Sequence, residues 1–163
     1  MNSGSVKKSV IIETDLEKAW TKISKIARLD WLEGQKSTKF LGEKKTGVGA
    51  KRLISFEDGS DVEEHIVGWR PKEYFSYIAV SGLPLEAYHA TISIEKNKTK
   101  SIKVTWESYF AAKTTKAEFD EFVEFLENCA KENAELVSEL EARIIKLSSA
   151  THKTGQMMKA YNI

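Results

Sequence analysis

One cysteine, two prolines and three histidines are all that 163 residues hold of these types, and each shortage excludes something. A lone Cys129 cannot form an internal disulfide, and its place on an apolar helix stripe reads as a small buried residue. His65, His89 and His152 give no clustered Cys/His or His-X-X-Glu spacing, so no metal site is expected. Nor do they complete a nucleophile, base and orienter set, so no catalytic residue is assigned. Gly47-Val48-Gly49 sits between strands and opens no helix, so it is not a phosphate cradle, and no cofactor is expected. Charge of one sign is not in excess, with Lys+Arg 25 against Asp+Glu 24. That balance argues against a broad nucleic-acid footprint. No run approaches the roughly 18 apolar residues of a membrane span, and Met1 to Lys8 lacks an apolar core of signal-peptide length. The expectation is a cytoplasmic protein.

What the chain does have is one long amphipathic stretch, Thr115 to Leu147. Thr114 or Thr115 can cap it, and Glu118 completes a capping box with Thr115. Phe119, Phe122, Val123, Leu126, Cys129, Asn133, Leu136, Val137, Leu140 and Ile144 recur at spacings of three and four, the period of a helix with one apolar face. At 1.5 Å per residue it would run about 45 Å. Phenylalanines crowd its first half, and such a face needs an apolar partner. The tail after Leu147 is polar with scattered apolar residues and reads as frayed or loosely docked.

The partner surface lies upstream. Val10-Ile11-Ile12, within Val6 to Glu13, reads as a strand, and Thr14 or Asp15 caps a helix through Ala27. Arg28 to Glu33 reads as a second short helix stopped by Gly34. From there the pattern alternates, predicting strands over 37–42, 49–56, 61–69, 74–80, 87–95 and 101–111. Turns fall at Lys45-Thr46-Gly47, Asp58-Gly59, Arg70-Pro71, Gly82-Leu83-Pro84 and Asn97-Lys98. Connections this short imply antiparallel neighbours.

At the Asp58-Gly59 hairpin, Ile54 and Phe56 share a face with Val62 and Ile66 only if even positions pair with even ones. A three-residue loop, Asp58-Gly59-Ser60, meets that condition. Arg52 and Glu64 then share this apolar face, diagonally close, and should pair. His65 and His89 fall on the opposite, solvent face.

The order of strand, two short helices, six-stranded meander and long helix resembles the helix-grip fold of the SRPBCC superfamily. Asp15-Leu-Glu-Lys-Ala-Trp20, Gly47-Val-Gly49-Ala-Lys-Arg52, Asp58-Gly59 with Glu64, and Trp69-Arg-Pro71 leading to Tyr77 resemble its polyketide cyclase/dehydrase and lipid transport family. So do Gly82-Leu-Pro84 leading to Tyr88 and Val104-Thr-Trp106. The resemblance implies an α+β fold in which a curved seven-stranded antiparallel sheet wraps a long C-terminal helix. One domain would span 1–147, with 148–163 as the tail.

It also implies a cavity between sheet and helix for a small hydrophobic or amphipathic, lipid- or polyketide-like ligand. Ligand pockets combine apolar walls with a few placed polar groups. The inward set with that composition is Arg52, Ile54, Glu64, Ile66, Phe75, Tyr77, Tyr88, Ala90, Ile92, Val104, Trp106, Phe110, Phe122, Leu126 and Asn133. Arg52 and Glu64 are either a structural ion pair or a ligand anchor, Arg52 taking a carboxylate or polarising a carbonyl. Ser81 to Leu85 matches in position the latch hairpin of the abscisic acid receptors, so Gly82, Leu83, Pro84 and Leu85 would gate the pocket. The histidine-arginine-leucine latch is missing, which counts against hormone recognition of that kind. The resemblance leaves two further functions open, a cyclase or dehydratase and a co-chaperone or interaction module. As partners it implies a small hydrophobic ligand, with the chain a monomer or homodimer.

Overall fold

Alternating burial along seven segments builds a single antiparallel sheet. The computed structural model describes residues 1–27, 35–121, 123, 124 and 127. Its strands are β1 (Asn2–Ile12), β2 (Gln35–Phe40), β3 (Lys51–Phe56), β4 (Asp61–Arg70), β5 (Tyr74–Ser81), β6 (Ala87–Lys98) and β7 (Ser101–Ala112), with helix α1 (Leu16–Ile23) after β1. The order across the curved sheet is β1-β7-β6-β5-β4-β3-β2, so the first strand closes against the last. β1 is longer than its apolar run predicts, because its polar beginning pairs with β7 from Asn2 opposite Ala112 onward.

The even-with-even pairing of β3 and β4 holds, but the loop is Glu57-Asp58-Gly59 rather than Asp58-Gly59-Ser60. Phe56 N–H donates to the Ser60 carbonyl at 2.9 Å and Gly59 N–H to the Phe56 carbonyl at 3.2 Å. Gly59 takes the left-handed conformation such a loop requires, at φ 85°. Asp58 Oδ1 accepts from the Ser60 N–H at 2.9 Å and the Ser60 hydroxyl at 2.7 Å, which fixes the turn. The consequence is that Arg52 sits directly opposite Glu64, not diagonal to it.

Two other boundaries move. α1 ends at Ile23 instead of running to Ala27. Its last bonds tighten, Lys25 N–H reaching Lys22 and Ile26 N–H reaching Ser24, and the chain swings Ile26 into the core at 1% exposure. Asp15 caps its start, accepting from Lys18 N–H at 2.8 Å. The β6–β7 turn is Thr99-Lys100 rather than Asn97-Lys98, since β6 continues through a register shift to pair Lys98 with Ser101.

A further helix starts at residue 116. Its capping box is formed: Thr115 N–H and hydroxyl both donate to Glu118 Oε2 (2.9 and 2.8 Å), and Glu118 N–H donates to Thr115 Oγ1 at 3.4 Å. Phe119 on its first turn is buried against Phe110, ring centres 5.7 Å apart. Gly4 makes room for that contact, since a Cβ there would come within 3.2 Å of the Phe119 ring. The remainder of the expected helix, the second short helix at 28–33 and the tail lie outside the described residues.

The core lies on the face from which Val6, Ile66, Phe75, Tyr77, Tyr88, Ala90, Ile92 and Phe110 project.

Candidate functional site

Alternation places one polar cluster on this otherwise apolar inner face. β3 supplies Arg52, β4 Glu64, β5 Tyr77, β6 Tyr88, and β7 Trp106 and Ser108. Arg52 is 1% exposed and Glu64 7%. Arg52 Nε donates to Glu64 Oε2 at 2.7 Å, and Nη2 makes an ion-pair contact with the same oxygen at 2.5 Å. Its third nitrogen, Nη1, donates to the Ile26 carbonyl at 2.6 Å. The Ile26 carbonyl, just beyond the end of α1, is the one that meets the guanidinium. The Tyr77 ring covers Arg52, with Cζ 5.1 Å from its centroid.

Burial pushes the Glu64 carboxyl above its ordinary value, and the Arg52 charge works against that rise. Tyr77 is pushed far up by burial first and the nearby Glu64 second. Tyr88 is raised by burial and then by Tyr77. Both hydroxyls therefore stay protonated at neutral pH. Trp106 Nε1 lies beside the Tyr77 hydroxyl and Ser108 Oγ beside that of Tyr88, hydrogen-bonding neighbours that ease the tyrosines' ionisation. Both atoms are buried, and neither contact has full hydrogen-bond geometry.

Flanking the cluster is a chain of aromatic rings. Trp20 of α1 meets Trp69 edge-on at 5.4 Å, Trp69 meets Phe75 at 5.7 Å, Phe75 meets Tyr77 at 6.2 Å, and Tyr77 meets Tyr88 at 6.3 Å. The sequence reading did not include Trp20, Trp69 or Ser108 in the site. Trp20 was legible as part of an apolar helix face. Trp69 was not, because a bulge between Ile66 and Gly68 shifts the alternation of β4 just before it. Ser108 lies two residues from Trp106 on the same strand face, and period two would have found it.

Of the expected site residues, Ile54, Ile66, Phe75, Ala90, Ile92 and Phe110 are buried with the cluster, and Val104 and Trp106 are half-buried. Phe122, Leu126 and Asn133 lie outside the described residues. In the loop 82–85, Leu83 and Leu85 pack against the core. Gly82 has φ 92° and sits against the β3–β4 hairpin end, where a Cβ would overlap the Asp61 carbonyl. His65 and His89 alternate to the outer face, where His65 Nε2 contacts Glu63 Oε1 at 2.7 Å.

A groove of about 570 Å³ opens on that outer face, lined in part by Ser5, Ile78, His89 and Tyr109. It follows from small side chains in one row, Ser3 opposite Ala111 and Ala111 opposite Ala87; of the polar cluster only Tyr88 reaches it, and neither Arg52 nor Glu64 lines it. Among the described residues there is no group of His, Cys, Asp and Glu able to hold a metal ion, and no helix long and apolar enough to cross a membrane.

A curved antiparallel wall with this strand order and a mostly apolar inner face defines a protein of the SRPBCC type. The sequence matches the family described as polyketide cyclase / dehydrase and lipid transport over residues 3–141, and the chain belongs to that family. Among solved structures it is similar to an uncharacterized protein from Bacillus thuringiensis, with TM-score 0.72 and 20% identity over 85% of this chain and 99% of that one. It is also similar to XoxI from Bacillus cereus, at TM-score 0.73 and 20% identity over 86% and 96%. Norcoclaurine synthase from Thalictrum flavum, solved with a transition-state analogue, gives TM-score 0.66 and 18% identity over 87% and 96%. At these identities the likeness is one of fold. No curated protein matches the chain.

Proposed function

We propose that the protein binds a small hydrophobic or amphipathic molecule against the inner face of its sheet, as a carrier or receptor rather than as an enzyme. One observation carries this reading. Tyr77, Tyr88, Trp106 and Ser108 gather their polar groups beside the Arg52–Glu64 pair on a face that is otherwise mostly apolar. An apolar wall with a few convergent polar groups has the composition of a ligand pocket.

Arg52, Ile54, Glu64, Ile66, Phe75, Tyr77, Tyr88, Ile92, Trp106 and Phe110 form the wall, with Phe122, Leu126 and Asn133 proposed for the opposite side. Gly82 to Leu85 are the proposed closing loop. An enzymatic role gains no support from the cluster, because its one buried acid is already held by Arg52. Thermal melting against a panel of lipid-like and aromatic metabolites tests the reading. A ligand at 100 times its Kd stabilises by about 2.7 kcal/mol, a clear rise in Tm. A melting point unmoved by every compound would contradict it.

A further inference from the structure

We infer that one end of the sheet, where the β2–β3 loop and the β6–β7 hairpin emerge, docks on an anionic lipid bilayer through exposed lysines and two exposed apolar side chains. Bilayer docking goes beyond the ligand-binding reading and does not depend on it.

In an antiparallel meander, alternate turns leave by the same end. One end of this sheet gathers the loop 41–50, the turn 71–73, the turn 99–100 and the exit of β1 at 13–15. The opposite end gathers 57–60, 82–86 and 113–115. Charge is sorted between them, although the whole chain balances at +1. At the opposite end the turns hold Glu57, Asp58 and Glu86 against Lys113, which pairs with Glu86.

The first end is basic. Its acids are largely committed: Asp15 pairs with Lys18, Glu73 with Arg70, Glu17 with Lys72 and Glu95 with Lys103. Lys44 and Lys45 in the loop, with Lys96, Lys98 and Lys100 at the hairpin, are all exposed and have no acid partner among the described residues. Only Glu13 and Glu43 are left to offset them there. The hairpin lysines also project. β5 pairs no further along β6 than Ser93, whereas β6 and β7 stay paired out to Lys98 and Ser101. The two groups of lysines lie about 20 Å apart along the sheet.

Apolar side chains stand among these cations. Val48 is 48% exposed in the same loop as Lys44 and Lys45, held between Gly47 at φ 75° and Gly49 at φ 88°. Ile11, 60% exposed, lies two strands from the Glu95–Lys103 pair and next to Lys103 itself. The boundary between headgroups and acyl chains receives apolar and basic side chains together. An anionic leaflet attracts each lysine near its surface. A nucleic-acid backbone would attract the lysines equally, but its phosphates gain nothing from an exposed valine or isoleucine.

Cosedimentation with vesicles tests the inference, using phosphatidylserine mixed with phosphatidylcholine and phosphatidylcholine alone. The protein should partition onto the mixed vesicles, not onto the neutral ones. It should come off at about 1 M salt, where the screening length is about 3 Å. Lys96→Gln with Lys98→Gln and Lys100→Gln should weaken partitioning about a hundredfold, and Lys44→Gln with Lys45→Gln about twentyfold, at about fivefold per lysine. Lys36→Gln with Lys113→Gln makes the same change in net charge as the loop pair at the opposite end, and should leave partitioning as it was. Val48→Asn should weaken it without altering its salt dependence. The two lysine groups sit on separate turns, so either reads the surface if the other variant melts early. No partitioning onto the anionic vesicles, equal partitioning onto neutral ones, or an equal loss in the opposite-end variant would each overturn the inference. So would tighter binding to duplex DNA than to the anionic vesicles at one salt concentration. None of these results bears on the ligand-binding reading, which its own melting experiment decides.

Discussion

Arg52 and Glu64 show how much a single pair can dictate. Each is buried, so removing one partner strands a charge, whereas removing both strands no charge and leaves only the Ile26 carbonyl without its donor. Arg52→Met or Glu64→Gln alone should cost about 3–5 kcal/mol in chemical denaturation, while the double change Arg52→Met with Glu64→Leu should cost less than either single change. The tyrosines make a second prediction. Folded-state values raised above the ordinary 10.0 mean that the stability these groups contribute is complete below pH 10. It is lost as pH rises through the folded values, since the unfolded chain deprotonates first. In a phenolate absorbance titration, Tyr77 and Tyr88 should ionise only as the fold melts, and Tyr77→Phe or Tyr88→Phe should each remove part of that late rise. Glu64 has the same sense from its ordinary 4.5 upward. Asp15, Asp58 and Glu118 are lowered by local hydrogen bonds from Lys18, Ser60 and Thr115, so their contributions are lost as pH falls. The pair was legible in the sequence because alternation put both residues on one apolar face. Its third member, the Ile26 carbonyl, was not, since backbone acceptors leave no trace in residue type.

At the scale of elements, the sequence revealed parity but not register. Alternation says which face a residue occupies, and a shift by two leaves that unchanged. Asp58-Gly59 was therefore compatible with a loop placed one residue late. α1 was over-extended for a related reason. Ile23 and Ile26 keep the helical stripe going, but the chain leaves the helix after Ile23 and carries Ile26 into the core, where its carbonyl meets the buried guanidinium. The capping box at Thr115 and Glu118 was readable because both partners are side chains at fixed spacing. Gly82 carries the element-level prediction. Its φ of 92° and its contact with the Asp61–Val62 backbone leave no room for a side chain. Gly82→Ala should lower stability by at least about 1–3 kcal/mol, read from unfolding curves. Hydrogen exchange should localise the loosening to the loop and the start of β4. A variant as stable as the parent would mean the loop does not hold this conformation.

For the whole molecule, strand order explains why the family could be recognised from short weak motifs. Each motif sits at a turn or an inward position of one continuous meander, so their order encodes the topology even where each alone says little. What no motif encodes is whether the wall encloses filled core or a ligand. That rests on the polar side chains gathered on the inner face, visible only once the strands are assembled. Native mass spectrometry of the purified chain after incubation with a cellular lipid and metabolite extract asks the question most directly. The account predicts a one-to-one complex with a small molecule that is released on unfolding. The bare chain alone, across the whole extract, would contradict it.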